Sequence, residues 1–234
     1  LDGLASLVDS SLVLADPASG KMRYRLLEPV RQYAEARLVA RGLRGATRRR
    51  HAEHYLGVAL GSEAKLRSGD AGPVLGRLEQ EEDNFRVALG WARDQPDDLG
   101  LRLCTALAPS WAIRGRVNEG RVWLDEMLRR RAGTEDLRLR ASGLARASRL
   151  AWRQRDYPST RALLDESLAI GRQLDDPLSV ARRLRGLALV AVAQGDLDEA
   201  GRLCEESVSL FRSHGDRYGL GLALAFLGMT LQVA

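Results

Sequence analysis

The chain has 234 residues, 45% of them hydrophobic and 29% charged, enough for a sizeable core at about 100–200 residues per domain and too apolar for a disordered tail. A small disulfide-stapled domain is excluded, since only Cys104 and Cys204 are present, and both lie in apolar helical patterns where a free thiol behaves as a small hydrophobe. The net charge of +5 rests almost wholly on arginine, with Lys21 and Lys65 the only lysines; such a bias also arises from genome composition and does not by itself point to nucleic acid.

Leu4, Leu7 and Val8 mark a short first helix. Alternating residues on either side of Asp16, Pro17 and Gly20 predict a β-hairpin, Ser11 to Ala15 against Met22 to Leu26. Glu28 and Pro29 then open a helix that carries Val30, Tyr33, Ala34 and Leu38 at helical spacing. Gly42 and Gly45 close this part, and Ala52 to Leu66 and Val74 to Trp91 read as two further helices. Next come a helix with Leu103, Cys104, Leu107, Ala108 and Trp111 and another with Val122, Trp123, Met127 and Leu128.

From Gly115 onward the sequence repeats with a period of 40 residues. Gly115, Arg155 and Gly195 occupy equivalent turns, Leu124, Leu164 and Cys204 one helix column, and Leu144, Leu184 and Leu224 a column on the partner helix. Ser148, Ala188 and Gly228 keep a small residue where paired helices approach, and Asp136, Asp176 and Asp216 stand where a helix begins. Each unit is therefore a helical hairpin that cannot bury both apolar faces alone, so neighbours must stack.

These columns resemble the tetratricopeptide repeat, matched here by Leu184, Leu187, Ala188, Ala191, Gly195, Leu197, Ala200, Cys204 and Ser207. The family's usual period is about 34 residues, and the surplus here falls around Leu174 to Pro177. The segments Leu4 to Val13 and Tyr24 to Ala34, with Arg50 to Tyr55 and Glu82 to Trp91 beyond them, are similar to the end of the winged helix and the following region in STAND signal-transduction ATPases, many of them LuxR-type or antibiotic-pathway regulators. The resemblance implies a mainly α chain: a right-handed superhelix of stacked antiparallel hairpins behind a helix, hairpin and helix left from a winged-helix domain. It places the winged-helix part at 1–43 and the repeats at 44–234, with the clearest units at 98–135, 136–175 and 176–215 and a truncated one at 216–234.

No catalytic set emerges. Ala15 to Met22 looks like a phosphate-binding loop but lacks its first Gly and its terminal hydroxyl, so no cofactor is expected in this chain and any ATPase would lie upstream. His51 and His54 have no convincing third ligand and read as polar helix surface, and His214 as a helix C-terminal residue. Glu79 to Asp83 reads as a solvated helical face, since successive helical positions diverge. The clusters Arg48 to Arg50 and Arg129 to Arg131 are short; the first is expected to open a helix and the second to end one.

The resemblance implies a groove lined by the first helix of each hairpin, where repeat phase puts Ser142, Arg149, Trp152, Arg153, Arg182, Arg185, Leu189, Met229 and Gln232. Arginine forks beside a Trp face suit an acidic peptide or an anionic ligand. The expected role is a non-catalytic sensor and scaffold that takes a protein, peptide or small-molecule effector and relays it to the adjacent nucleotide-binding domain of the same polypeptide. The alternative is DNA binding, with Arg23 and Arg25 of the hairpin reaching phosphates. No window approaches the ~18–20 uninterrupted apolar residues of a membrane span, and no basic leader is visible, so a cytoplasmic location is expected. The chain opens on Leu1 and ends within an apolar helical pattern, which reads as a piece of a longer protein, with self-association expected through 217–234.

Overall fold

Leu, Ala and Arg, all good helix formers, dominate the sequence, and in a computed structural model the chain is helical almost throughout. The structure describes residues 2–17, 22–66 and 71–233, without the side chains of 229–233. It divides into two compact units, one up to His51 and one from Ala52 onward.

The first unit has the expected order: α1 (Asp2–Asp9), a two-stranded hairpin of β1 (Val13–Asp16) and β2 (Arg23–Leu26), and α2 (Glu28–Ala40). The strands pair antiparallel with Val13 opposite Leu26 and Asp16 opposite Arg23. Pro29 sits in the first turn of α2, where its missing N–H and fixed φ cost nothing. Gly42, at φ +66, ends the helix. Val13 is the one buried apolar side chain among this unit's described residues, while Tyr33, Val39 and Leu43 are exposed. α3 (Arg44–Leu66) follows and runs unbroken through the division at residues 51 and 52. It starts a full two turns before the Ala52 expected from its pattern, because Glu35 holds its first turns: Arg44 Nε and Arg48 Nη2 lie 2.6 and 3.1 Å from that carboxylate. Arg48 to Arg50 therefore lie inside the helix and do not open it.

In the second unit the pattern from Val74 to Trp91 is two helices, α4 (Ala71–Gln80) and α5 (Glu82–Ala92). The break falls at Glu81, whose carboxylate accepts hydrogen bonds from Tyr55 Oη at 2.9 Å and Asn84 Nδ2 at 2.7 Å. Within the acidic run Glu79 and Asp83 are exposed, as a solvated face requires, and pair with Arg114 and Arg86, while Glu82 is half-buried against Arg86 and Arg116.

Beyond it, α6 (Leu99–Ile113), α7 (Val117–Arg130), α8 (Leu137–Arg153), α9 (Tyr157–Gln173), α10 (Pro177–Gln194), α11 (Leu197–Ser213) and α12 (Arg217–Val233) pack each on the next. From α7 on the helix starts repeat every 20 residues, half the period read from the sequence. The carboxylates of Asp136, Asp156, Asp176, Asp196 and Asp216 each accept the backbone N–H three residues on, at 2.8–3.1 Å, which satisfies a donor the helix cannot. Gly115, Arg155 and Gly195 all take left-handed φ at the equivalent turns.

Two polar clasps also repeat. Arg121 and Arg161 each donate to a Gln in the turn of the following hairpin, Gln154 at 3.1 Å and Gln194 at 3.3 Å. Ser167 and Ser207 are fully buried and donate to the carbonyls of Ala141 and Ala181, both at 2.8 Å. Arg129 and Arg130 pair with Glu126, and Arg131 with Asp98 at 2.7 Å, so the second basic cluster is largely neutralised.

Candidate functional site

The first helices of the repeating hairpins are α8, α10 and α12, and repeat phase assigned the groove to them. Arg149 and Arg153 are exposed on one stripe of α8 and form no ion pair among the described residues. Trp152, half-buried between them, lies with its ring centroid 5.3 Å from that of Tyr157 and packs on the second core cluster. It covers core on one side and shows an edge to solvent. Arg182 is exposed, but its Nη2 lies 3.7 Å from Asp216, the cap of α12. Arg185 departs from the expected lining: its Nε is buried without a hydrogen-bond partner, and its charge pulls against the upward push that burial gives the Cys204 thiol. The side chains of Met229 and Gln232 lie outside the described residues, as does Lys21 of the loop that resembles a phosphate-binding one.

Three charged residues that repeat phase did not single out are held in place on α10, α8 and α3. Arg183 of α10 donates from Nε to Ser167 Oγ of α9 at 2.8 Å, and Ser167 in turn donates to Ala141 of α8. Burial first, then the charges of Arg182 and Arg146, pull the Arg183 guanidinium down to about 10, against the attraction of Asp176; it remains cationic at neutral pH. Arg146 of α8 pairs through Nη2 with Glu63 near the end of α3, 83 positions away in sequence. The signal available in the sequence was the repeat column itself: position 183 is equivalent to Gly143 and Ala223, both buried and small.

In the first unit, Arg25 is exposed and Arg23 half-buried on the same face of β2. In the second, a cleft over Leu78, Phe85, Leu89, Leu107 and Trp111 has a volume of about 30 Å³ and is rimmed by Glu82, Arg86, Arg116 and Glu119, so it has room for about one water. Both cysteines are free and buried. His54 stacks edge-on against Tyr55 with centroids 5.1 Å apart, and His214 caps the end of α11 with Nδ1 3.0 Å from the Leu210 carbonyl oxygen. Among the described residues no cluster of three or more His, Cys, Asp or Glu is placed to hold a metal ion, and no helix is long and apolar enough to cross a membrane.

Stacked hairpins with capped starts, left-handed turns at matched positions and small residues at the close approaches agree with two solved structures. BtubC (BKLC) from P. vanneervenii superposes with a TM-score of 0.59 at 18% identity, over 80% of this chain and 82% of that one. A signal transduction ATPase with numerous domains (STAND) and a tetratricopeptide repeat sensor, from Pyrococcus horikoshii, gives 0.54 at 15% identity over 98% of this chain and 42% of that one. The chain has a tetratricopeptide-like repeat fold. No family profile matches it. In sequence, this repeat chain is 30% identical over 98% of its length to proteins named HTH-type transcriptional regulators in Mycobacterium tuberculosis and Mycobacterium bovis. It spans about a quarter of the length of those relatives, 26%. The segment thus resembles bacterial transcriptional regulators in sequence and a STAND protein with a tetratricopeptide repeat sensor in fold.

Proposed function

We propose that this tetratricopeptide-like chain is the non-catalytic sensor and scaffold segment of a STAND-type transcriptional regulator. The first helices of its hairpins take a protein, peptide or small-molecule signal, and the bound state is relayed to an ATPase switch outside the chain. The observation that carries this reading is Arg149 and Arg153, exposed on one helix face without an ion pair among the described residues and flanking Trp152. Cationic forks left uncompensated beside an aromatic edge offer charge-assisted hydrogen bonds and a stacking surface. The names of the relatives and the repeat sensor of the Pyrococcus protein support a regulatory setting. A ligand shifts such a switch only by its unequal affinity for the two states. The test is Arg149→Glu with Arg153→Glu in the full-length regulator: loss of the transcriptional response with an unchanged melting temperature is expected, and an intact response refutes the groove.

The second reading, DNA contact through Arg23 and Arg25, is favoured by their shared face on the hairpin. It requires that the chain retain a duplex with an affinity falling steeply as salt rises; no retention at low salt removes it. We infer in addition that a second copy of the chain covers α12, where Tyr218, Leu222 and Leu224 are exposed. Light scattering is expected to show mass rising with concentration and to lose that rise in the Leu222→Glu, Leu224→Glu variant; a monomer at every concentration contradicts it.

A further inference from the structure

Among the described helices α3 alone crosses the division at residues 51 and 52, and both of its ends are tied by a carboxylate and arginine. At the start, Arg44 and Arg48 of α3 pair with Glu35 of α2 in the first unit. At the end, Glu63 pairs with Arg146 of α8 in the repeat stack. Between these ties the helix presents one narrow buried stripe, Ala52, Leu56, Ala59 and Ser62, in which only Leu56 is large. Tyr55, Val58 and Leu66 add half-buried contacts, and Tyr55 donates to Glu81 at 2.9 Å. By contrast α10 buries Val180, Leu184, Leu187 and Val190. Apolar stabilisation scales with the area removed from water, so small residues hold the last turns of α3 less firmly than those side chains hold α10. The Glu63 pair is therefore a principal tie at that end. With side chains 15% and 24% exposed, Glu63 and Arg146 are largely out of water, where salt screens a pair less than on the surface and breaking it leaves an uncompensated charge.

The anchor of this tie lies on the helix that carries the proposed sensor stripe. Arg146, Arg149 and Arg153 stand at helical spacing along one side of α8. The second and third are ~5 and ~10 Å along the axis from the first, within roughly a Debye length. Arg183 of α10 adds a cation whose charge opposes that of Arg146. The summed field of these arginines favours a nearby carboxylate, which Glu63 supplies. We propose that the pair of Glu63 and Arg146 is a releasable latch. With the stripe empty it holds the end of α3 on α8; a signal that occupies Arg149 and Arg153 loosens it, and α3 carries the bound state across the division into the first unit. This rests on the sensor reading above and supplies the regulation of that same site. Its sign follows from linkage: a signal that neutralises the stripe lowers the field at Glu63. By reciprocity, a chain without the latch is shifted toward the signalling state before any signal arrives. The start of α3 keeps its tie to Glu35 throughout.

Hydrogen exchange of the full 234-residue chain, followed by mass spectrometry, reads the latch directly. In Glu63→Gln and in Arg146→Gln the amides of residues 58–66 are expected to exchange about threefold faster or more, the effect of losing one partly buried pair. The swap of Glu63→Arg with Arg146→Glu is expected to return them to the parent rate. Arg149→Glu with Arg153→Glu mimics an occupied stripe and is expected to speed the same amides with the pair itself intact. In the full-length regulator Glu63→Gln and Arg146→Gln are expected to raise transcription without signal, and the swap to restore the basal level. Unchanged exchange over 58–66 in either single variant or in the stripe variant overturns the proposal. So does a rise spread evenly over α8 to α12, a swap that exchanges as fast as the single variants, or basal transcription equal to the parent's in both of them. If the stripe variant loses the response to signal while Glu63→Gln leaves basal transcription unchanged, the sensor reading stands and the latch falls. If Glu63→Gln raises basal transcription while the stripe variant responds normally, the latch stands and the stripe as its trigger falls.

Discussion

The aspartates at 20-residue spacing make a quantitative test of how the stack is held, and Asp156 is the informative one because its two roles separate. Its carboxylate accepts the Ser159 N–H at 3.1 Å and lies 3.4 Å from Arg121 Nη2. Removing the side chain in Asp156→Ala costs the cap, about 1 kcal/mol with a range of roughly 0.5–2, and the Arg121 pair, which adds only a few tenths because the aspartate is 37% exposed. Asp156→Asn keeps an oxygen for Ser159 and loses only the charge, so its cost is roughly 0.2–1 kcal/mol. At about 2–4 °C per kcal/mol for a chain of this size, the alanine variant melts visibly below the asparagine variant. Hydrogen bonds from Ser159, and more weakly the charge of Arg121, hold the folded carboxyl below its ordinary 3.8. A depressed folded pKa stabilises above the unfolded value and is lost as pH falls through the folded one, so the gap between parent and Asp156→Ala narrows as the pH drops below about 4. Urea unfolding followed by far-UV circular dichroism at neutral and acid pH reads both effects. An asparagine variant as damaged as the alanine one at neutral pH, or a gap undiminished in acid, refutes the assignment of a capping carboxylate.

Three further outcomes follow from the packing. Gly120→Val places a Cβ 2.8 Å from both Leu150 Cδ1 and Trp111 Cε3 and is expected to lower the urea midpoint by about 1–3 kcal/mol of overpacking; an unchanged midpoint counts against the close approach of α7 to α6 and α8. Arg155→Gly relieves a left-handed φ of +59, worth about 1–2 kcal/mol for an L-residue. The unfolded freedom of glycine returns roughly 0.5–1, so a small net rise in melting temperature is expected, and a fall argues that Arg155 is held by contacts. Burial pushes the Cys104 thiol well above its ordinary range and the Cys204 thiol to about 11, with Arg185 pulling the latter down. Both are therefore expected to resist a maleimide at mildly alkaline pH until the chain unfolds, and fast labelling of the folded chain contradicts their burial.

The hairpin stack was legible because its causes are local and recur: capping aspartates, left-handed turns at Gly115 and Gly195, and small residues where helices touch all leave a periodic mark. The 20-residue half-period is there too, in Asp156 and Asp196, which follow the turn residues Arg155 and Gly195 and cap the next helices. What sequence could not show is where tertiary bonds overrule a periodic pattern. Val74 to Trp91 has unbroken helical phase, and it breaks at Glu81 because Tyr55, on another helix, donates to that carboxylate. In the same way α3 extends back to Arg44 because Glu35 of α2 receives Arg44 and Arg48.

The candidate site divides along the same line. Repeat phase locates the exposed stripe of Arg149 and Arg153 because exposure on a helix is set by angle, and angle is set by residue number. It fails at Arg185, since a long side chain at the edge of the stripe turns inward or outward according to what the neighbouring helix offers, here a buried Cys204 in place of a carboxylate. It is silent on Arg146, whose partner Glu63 lies 83 positions away with no period in common. Arg183 is the intermediate case. Its neighbours in the column, Gly143 and Ala223, were in plain view, and a cation among small buried residues departs from the repeat where the repeat is otherwise strict. A position that packs helices in every other unit, and here gives up apolar contact for a mostly unspent guanidinium, is retained at a cost to stability.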